Sequence, residues 1–317
     1  MTTLSMSMKS VMLASLGASV LMLGGCNKQA ANEESTAVEG AANDTAALDI
    51  KIATESSYRP FSYTDANGKL VGYEIDLANA LCEQMKANCE IISQDWDGLI
   101  PGLNAKKFDA IIAGMSITPE RQEVVEFSDP YFHSGIILIG KKGDDISIDG
   151  LKGMPVASQR STVSSQYLQD SHPEADIKLY DTQDNAYLDL TSGRVRAMMS
   201  DKVTGIDWLK TEAGQGYEVK GAEISSANGD AMGIAFRKGD PLVAKFNAAL
   251  SELKASGKYD EITDSYFGTS STAAAQSAAN TSAATDAVDQ VVVVEGEDAD
   301  IDGNELVAAE EQVEAAN

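Results

Sequence analysis

The chain has 317 residues, 43% of them hydrophobic, which is enough for one large domain or two lobes with cores of their own. Its formal net charge of -25 excludes a nucleic-acid partner, because binding phosphates needs a surplus of Lys and Arg. The acidity is concentrated in the last stretch, 269–317, which holds eleven Asp and Glu and no Lys or Arg, so the body is only moderately acidic.

In chain order, Lys9 precedes an apolar run, 11–23, shorter than the ~20 residues of a membrane span. The run ends in Leu23-Gly24-Gly25-Cys26, which resembles a bacterial lipoprotein signal. On that reading 1–25 is removed and Cys26 carries the acyl chains that hold the protein at a membrane; an ordinary signal with an incidental Cys is the alternative. The segment 26–47 is rich in Ala, Glu, Asn, Thr and Ser without apolar periodicity, as a flexible linker is.

From residue 50 onward short apolar runs alternate with helical patterns. Strands are expected at 50–54, 90–93, 110–113, 136–140, 195–199 and 233–236. Helices are expected at 75–87, 98–105, 164–170, 182–191, 202–211 and 241–256. This βα rhythm predicts an α/β protein with helices on both faces of largely parallel sheets. Ligands then sit where strands end and loops enter helices, which singles out the loops 55–61, 114–121 and 159–165. The tail 269–317 is Ala/Ser/Thr-rich and then acidic, a composition expected to be disordered.

Cys82 and Cys89 are seven residues apart, too far for a disulfide along one continuous helix. If they pair, the helix must end between them, with Ala87-Asn88 as its C-terminal turn; two buried free thiols are the alternative. After an export signal the disulfide is the reading that fits the compartment. His133 and His172 are the only histidines, and no Cys/His cluster suggests a metal or cofactor. No nucleophile–base pair is spelled out.

In Gly114-Met115-Ser116-Ile117-Thr118-Pro119-Glu120-Arg121, Thr118 suits an N-cap and Pro119 the first helical position. Arg121 then lies in the first turn, where a guanidinium grips a carboxylate through two parallel bonds. Ser161-Thr162, before another helix, offers further donors to the same anion. Taken singly, Arg121 reads as a solvated charge and Asp201 as an N-cap ahead of Lys202. Tyr58 and Trp96 read as core, and Glu55 as a loop end.

Several ordered segments change that balance. Ala53-Thr54-Glu55-Ser56-Ser57-Tyr58-Arg59-Pro60-Phe61, Gly72-Tyr73-Glu74-Ile75-Asp76-Leu77, Ser116 to Arg121 and Phe127-Ser128-Asp129-Pro130-Tyr131 resemble the polar amino-acid-binding proteins of ABC importers. The likeness runs from about Ile50 to Gly268. Leu81-Cys82-Glu83-Gln84-Met85 with Cys89, and Asp184 to Leu190, look most like the arginine and lysine/arginine/ornithine branch. The resemblance implies the two-lobed periplasmic-binding-protein fold: lobe 1 at 48–138 plus 229–268, lobe 2 at 139–228, joined by a two-strand hinge. It also implies roles. Arg121 would hold the ligand α-carboxylate with the Thr162 and Val163 backbone. Asp201, the Ser116 hydroxyl and the Gly114 carbonyl would receive the α-ammonium. Tyr58 and Trp96 would flank the side chain, and Glu55 would meet its far end. Relatives usually carry Gly where Ser161 stands, and loss of Gly restricts the backbone at that point.

The function implied is capture of a basic amino acid, arginine first, by a monomer at the periplasmic or cell surface, for delivery to an importer's permease subunits. Glutamine is the alternative ligand. A cyclohexadienyl-dehydratase-like enzyme on the same fold, with Glu55 as general acid, is a rival of another class, and a ligand sensor is a third.

Overall fold

A computed structural model of the chain describes residues 47–225 and 230–268. The signal segment, Cys26, the linker up to residue 46, residue 229 of the lobe boundary and the tail 269–317 lie outside the described residues.

The chain enters through β1 (Asp49–Thr54), then a small antiparallel sheet of β2 (Ser57–Tyr58), β3 (Ser62–Thr64) and β4 (Leu70–Val71). Helix α1 (Tyr73–Met85) leads to β5 (Asn88–Ser93), and a 3₁₀ turn at Trp96–Gly98 runs into α2 (Leu99–Asn104). Then come β6 (Ala110–Ile111), α3 (Pro119–Val124) and β7 (Glu126–Phe127). The chain crosses through β8 (Phe132–His133) into β9 (Ile136–Lys141), β10 (Pro155–Gln159), α4 (Val163–Ser171) and β11 (Asp176–Tyr180). There follow α5 (Gln183–Thr191), β12 (Ala197–Asp201), α6 (Lys202–Leu209) and β13 (Tyr217–Val219). The return uses β14 (Ala231–Met232), β15 (Ala235–Phe236), α7 (Leu242–Ser256) and α8 (Lys258–Phe267).

Two five-stranded sheets result, ordered β5-β1-β6-β15-β7 and β11-β10-β12-β9-β13. Strand alternation decides how each is covered. In β1, Ile50 and Ile52 point to a core built with Leu77 and Leu81 of α1 and Phe246 and Leu250 of α7. Ala53 points to the other face, with Leu99, Leu103 and Phe108. In β9, Ile136 and Leu138 face one core while Ile137 and Ile139 face the other. Both sheets are thus buried on both faces, which is why β9 reads as an unbroken apolar run.

The sheets are mixed rather than largely parallel. Around β1 and β10 the pairings are parallel. One strand in each sheet runs against its neighbours: β15 is antiparallel to β6 and β7, and β9 is antiparallel to β12 and β13. The reversed strands are those next to the crossings: β9 is the first strand after the chain enters the second sheet, and β15 is formed when the chain returns to the first. The crossing segments β8 and β14 pair with each other, Phe132 opposite Met232 and His133 opposite Ala231, as the expected two-strand connection requires.

Helix α1 ends earlier than expected. Its left-handed C-cap is Lys86, at φ 54°, and the Lys86 and Ala87 N–H groups donate to Glu83 O and Cys82 O. Asn88 is already in β5, opposite Asp49. The turn falls between the two cysteines, and Cys82 and Cys89 are joined with their Cα atoms 6.2 Å apart. The bond ties the last turn of α1 to the edge strand β5. Helix α8, for which the sequence reading had no assignment, packs Tyr259 and Ile262 into the same core as α1.

Candidate functional site

All nine residues expected at the ligand line one pocket, between loops that leave the first sheet and loops that leave the second: Glu55, Tyr58, Trp96, Gly114, Ser116, Arg121, Thr162, Val163 and Asp201. Glu55 follows β1, Trp96 follows β5, Gly114 follows β6, and Asp201 ends β12. These are carboxyl ends of strands in the parallel parts of the two sheets, where the next turn aims side chains at a common space.

Arg121 is placed by its short helix. Thr118 caps α3, its Oγ1 accepting the Arg121 N–H at 3.3 Å, and Pro119 fills the first position. The guanidinium donates from Nη1 to Ser116 O at 2.8 Å and from Nη2 to Ser161 O at 3.0 Å. Its Cζ lies 5.3 Å from the Trp96 ring centroid. Among the described residues no ion pair joins Arg121 to a carboxylate, so its charge rests on backbone dipoles and an aromatic face. The indole Nε1 of Trp96 donates to the same Ser161 carbonyl at 3.3 Å.

Ser161 has φ 58°, a left-handed conformation that glycine adopts freely and serine does not. The resemblance implied Gly at this position, and the backbone found there suits one. Next to it, Thr162 caps α4 in a capping box: its Oγ1 accepts from Ser165 N at 3.2 Å, and its own N–H donates to Ser165 Oγ at 3.1 Å. The Thr162 hydroxyl donates to Gln159 O at 2.8 Å. Both Thr162 donors are engaged inside the loop, so an anion there draws on the start of α4 beyond Thr162, where Ser164 adds a hydroxyl to the lining.

Gly114 has φ +56°, and a Cβ on it would come within 2.4 Å of Tyr58 Cε1. Both facts demand glycine. Tyr58 is itself fixed by stacking on Phe61, with centroids 5.5 Å apart. Asp201 is an N-cap and also lines the pocket. Its Oδ1 caps α6, accepting from Val203 N at 2.9 Å and Thr204 N at 3.4 Å, while the residue faces the pocket.

Residues 50–269 match bacterial extracellular solute-binding proteins, family 3. The chain belongs to this family. It is 38% identical to the ABC transporter arginine-binding protein 1 of Escherichia coli over 224 residues, 70% of this chain and 92% of that one. It is also 38% identical to the lysine/arginine/ornithine-binding periplasmic protein of the same organism over 237 residues, 72% of this chain and 91% of that one. An ancestral arginine-binding protein, solved bound to arginine and bound to glutamine, superposes with a TM-score of 0.66 at 39% identity, covering 69% of this chain and 98% of that one. These relatives are binding proteins, not enzymes.

Three lining residues of this solute-binding protein were not anticipated one by one: Gln159, Ser164 and Gln183. The first and second fall in the loop 159–165 that the strand-end argument selects. Gln183 sits in the first turn of α5, where nothing in its sequence context marks it. Gln159 matters most. Its Nε2 donates to Glu55 Oε1 at 2.9 Å and to Asp181 O at 3.1 Å, while its buried Oε1 has no hydrogen-bond partner. With Arg121 and Trp96 to the Ser161 carbonyl, this contact joins loops of the first sheet to loops of the second.

The electrostatics follow from burial. Glu55 is 3% exposed, and desolvation pushes its carboxyl up to about 7 although Gln159 and Ser57 donate to it. Asp201 is pushed up to about 6, again chiefly by burial and against the helix N–H groups and Ser134 that favour its charged form. Burial lowers Arg121 to about 10. A solute-binding protein with this pocket holds one cation and two carboxylates, each short of a full counter-charge. A ligand carrying one anionic and two cationic groups would complete all three.

Proposed function

We propose that this solute-binding protein captures a basic L-amino acid, arginine foremost, outside the cytoplasm and delivers it to an ABC importer, held to its membrane by acyl chains on Cys26. The observation that carries the reading is the single pocket that gathers Arg121, Asp201 and Glu55 with the rings of Tyr58 and Trp96. Arg121 and the first turn of α4 take the α-carboxylate. Asp201, Ser116 and the Gly114 carbonyl take the α-ammonium. The side chain runs between Tyr58 and Trp96, whose faces attract a desolvated cation by about 1–2 kcal/mol, towards Glu55. The free Oε1 of Gln159 adds an acceptor beside Glu55, which suits a guanidinium with several N–H groups better than a single ammonium. The names of the relatives support the same class.

On this reading the lobes 48–138 plus 229–268 and 139–228 close about the paired β8 and β14, and the closed form is what the importer engages. The protein works as a periplasmic or surface-anchored monomer. Calorimetric titration of the chain from residue 27, after unfolding and refolding to strip carried-over ligand, tests it with arginine, lysine, ornithine, histidine, glutamine and glutamate. Micromolar or tighter arginine binding, about -8 kcal/mol, with weak glutamine and no glutamate binding is expected. Tighter glutamine than arginine binding would move the assignment to a neutral polar ligand. Binding of no amino acid would overturn it.

A further inference from the structure

Behind the pocket lies a buried carboxylate to which the ligand contacts give no task. Glu74, in the first turn of α1, is fully buried. Its Oε1 accepts the Gly114 N–H at 2.6 Å and also the phenol of Tyr131. Its Oε2 faces Ser62 without either atom reaching hydrogen-bond geometry. No cation pairs with it among the described residues. Burying such a group is costly, and a core of Leu and Phe would fill the space more cheaply. What the carboxylate does is hold three pieces together. It sits on the helix that starts beside Phe61, it fixes the backbone of the ligand loop at Gly114, and it anchors Tyr131, one residue before the crossing strand β8.

We infer that Glu74 is a positioning residue for the ammonium end of the ligand: by fixing the Gly114 N–H on its buried carboxyl oxygen, it sets the Gly114 backbone so that its carbonyl faces the pocket. Gly114 needs such a tether. At φ +56° and without a side chain, it has nothing of its own to hold that orientation. The hydrogen bond fixes a direction, and because burial pushes Glu74 up to about 7, above neutral pH it is also charge-assisted and about twice as strong as a neutral one. The same oxygen binds Tyr131, so the ligand loop and the start of the crossing move as one piece.

The inference rests on the amino-acid reading of the pocket, and the test separates the two. Affinities of the wild type, E74Q and E74A are measured for arginine and for 5-guanidinopentanoate, which is arginine without its α-amino group, with chemical-shift titration to millimolar concentration for the weaker ligand. Glu74→Ala is expected to weaken arginine about tenfold or more and the des-amino acid less than about twofold. At about pH 8, where Glu74 is ionised, Glu74→Gln keeps the shape and an acceptor but not the charge, so it should weaken arginine selectively by about three- to tenfold, and it serves if the alanine variant fails to fold. Equal losses for both ligands would mean that Glu74 is only structural, and unchanged arginine binding would mean that it does nothing for the site; either overturns the inference. Wild-type protein that binds no amino acid overturns the functional reading first, and this inference with it.

Discussion

At the scale of single residues, Arg121 and Ser161 are two halves of one device. The guanidinium proposed to take the ligand carboxylate already spans from Ser116 O to Ser161 O, so the same group would both bind and close. Arg121→Ala removes the fork and leaves a buried ligand carboxylate unpaired, which costs about 3 kcal/mol or more. Arginine affinity should fall at least about a hundredfold in calorimetry, and Arg121→Lys should recover only part of it, because an ammonium cannot make two parallel bonds. Ser161 calls for the opposite substitution. A serine at φ 58° carries a penalty of about 1 kcal/mol that glycine lacks. Ser161→Gly should therefore raise the melting temperature by about 2–4 °C while keeping the carbonyl that Arg121 and Trp96 use. A lower melting temperature would mean that the serine side chain makes up for its backbone.

At the scale of elements, the sequence was most readable where burial imposes a period. The alternation of Ile50 and Ile52 against Ala53, and the four-residue recurrence of Leu77, Leu81 and Met85, are consequences of what each face touches. Boundaries were less readable. Strands β14 and β15 have two residues each and exist only because the returning chain meets Phe132, Phe127 and Ile111, partners about a hundred residues away that no local pattern records. Lys86 took the left-handed cap that Asn88 is better suited to, because β5 needs Asn88 for its pairing with Asp49. In the pocket, the residues that make loops (Gly114, Thr118 to Arg121, Thr162) carried their own signals, whereas Gln183 is one polar residue in a helix and is recognisable only once α5 is packed.

The disulfide belongs to this scale too. It closes a short loop between the end of α1 and an edge strand, at the opposite end of the helix from Glu74. Replacing both cysteines by serine should cost about 2–3 kcal/mol of stability, read as a lower denaturant midpoint. Arginine affinity should stay within about twofold, since the pocket is built from the other end of α1. A large loss of affinity would show that the staple reaches the site.

At the scale of the whole molecule, the raised pKa values predict that the proposed closure is sensitive to protons. Buried in the pocket, Glu55 stands at about 7 and Asp201 at about 6, against ordinary values of 4.5 and 3.8. Opening returns both to water and towards those ordinary values, so the closed form binds more protons than the open one. The contribution of these two groups to closure is fully present below about pH 4 and is lost as pH rises through 6 and then 7. The exposed pairs across the rim, Arg160 with Asp97 at 3.4 Å and Arg59 with Asp207 at 3.8 Å, are too weak to offset this, at about 1 kcal/mol or less each. The ligand-free protein should therefore open on going from about pH 5.5 to about pH 8, seen as a rise in radius of gyration by small-angle scattering. Saturating arginine should abolish the rise, because its guanidinium replaces the proton at Glu55 and its ammonium the one at Asp201. For the same reason, arginine binding at about pH 5.5, where the ligand-free cleft is closed and Glu55 and Asp201 hold protons, should release protons, and calorimetry in buffers of different ionisation enthalpy measures how many. A radius that falls with rising pH, or binding without proton release, would mean that the two carboxylates keep ordinary pKa values in the closed cleft and that closure is governed by the aromatic and backbone contacts alone.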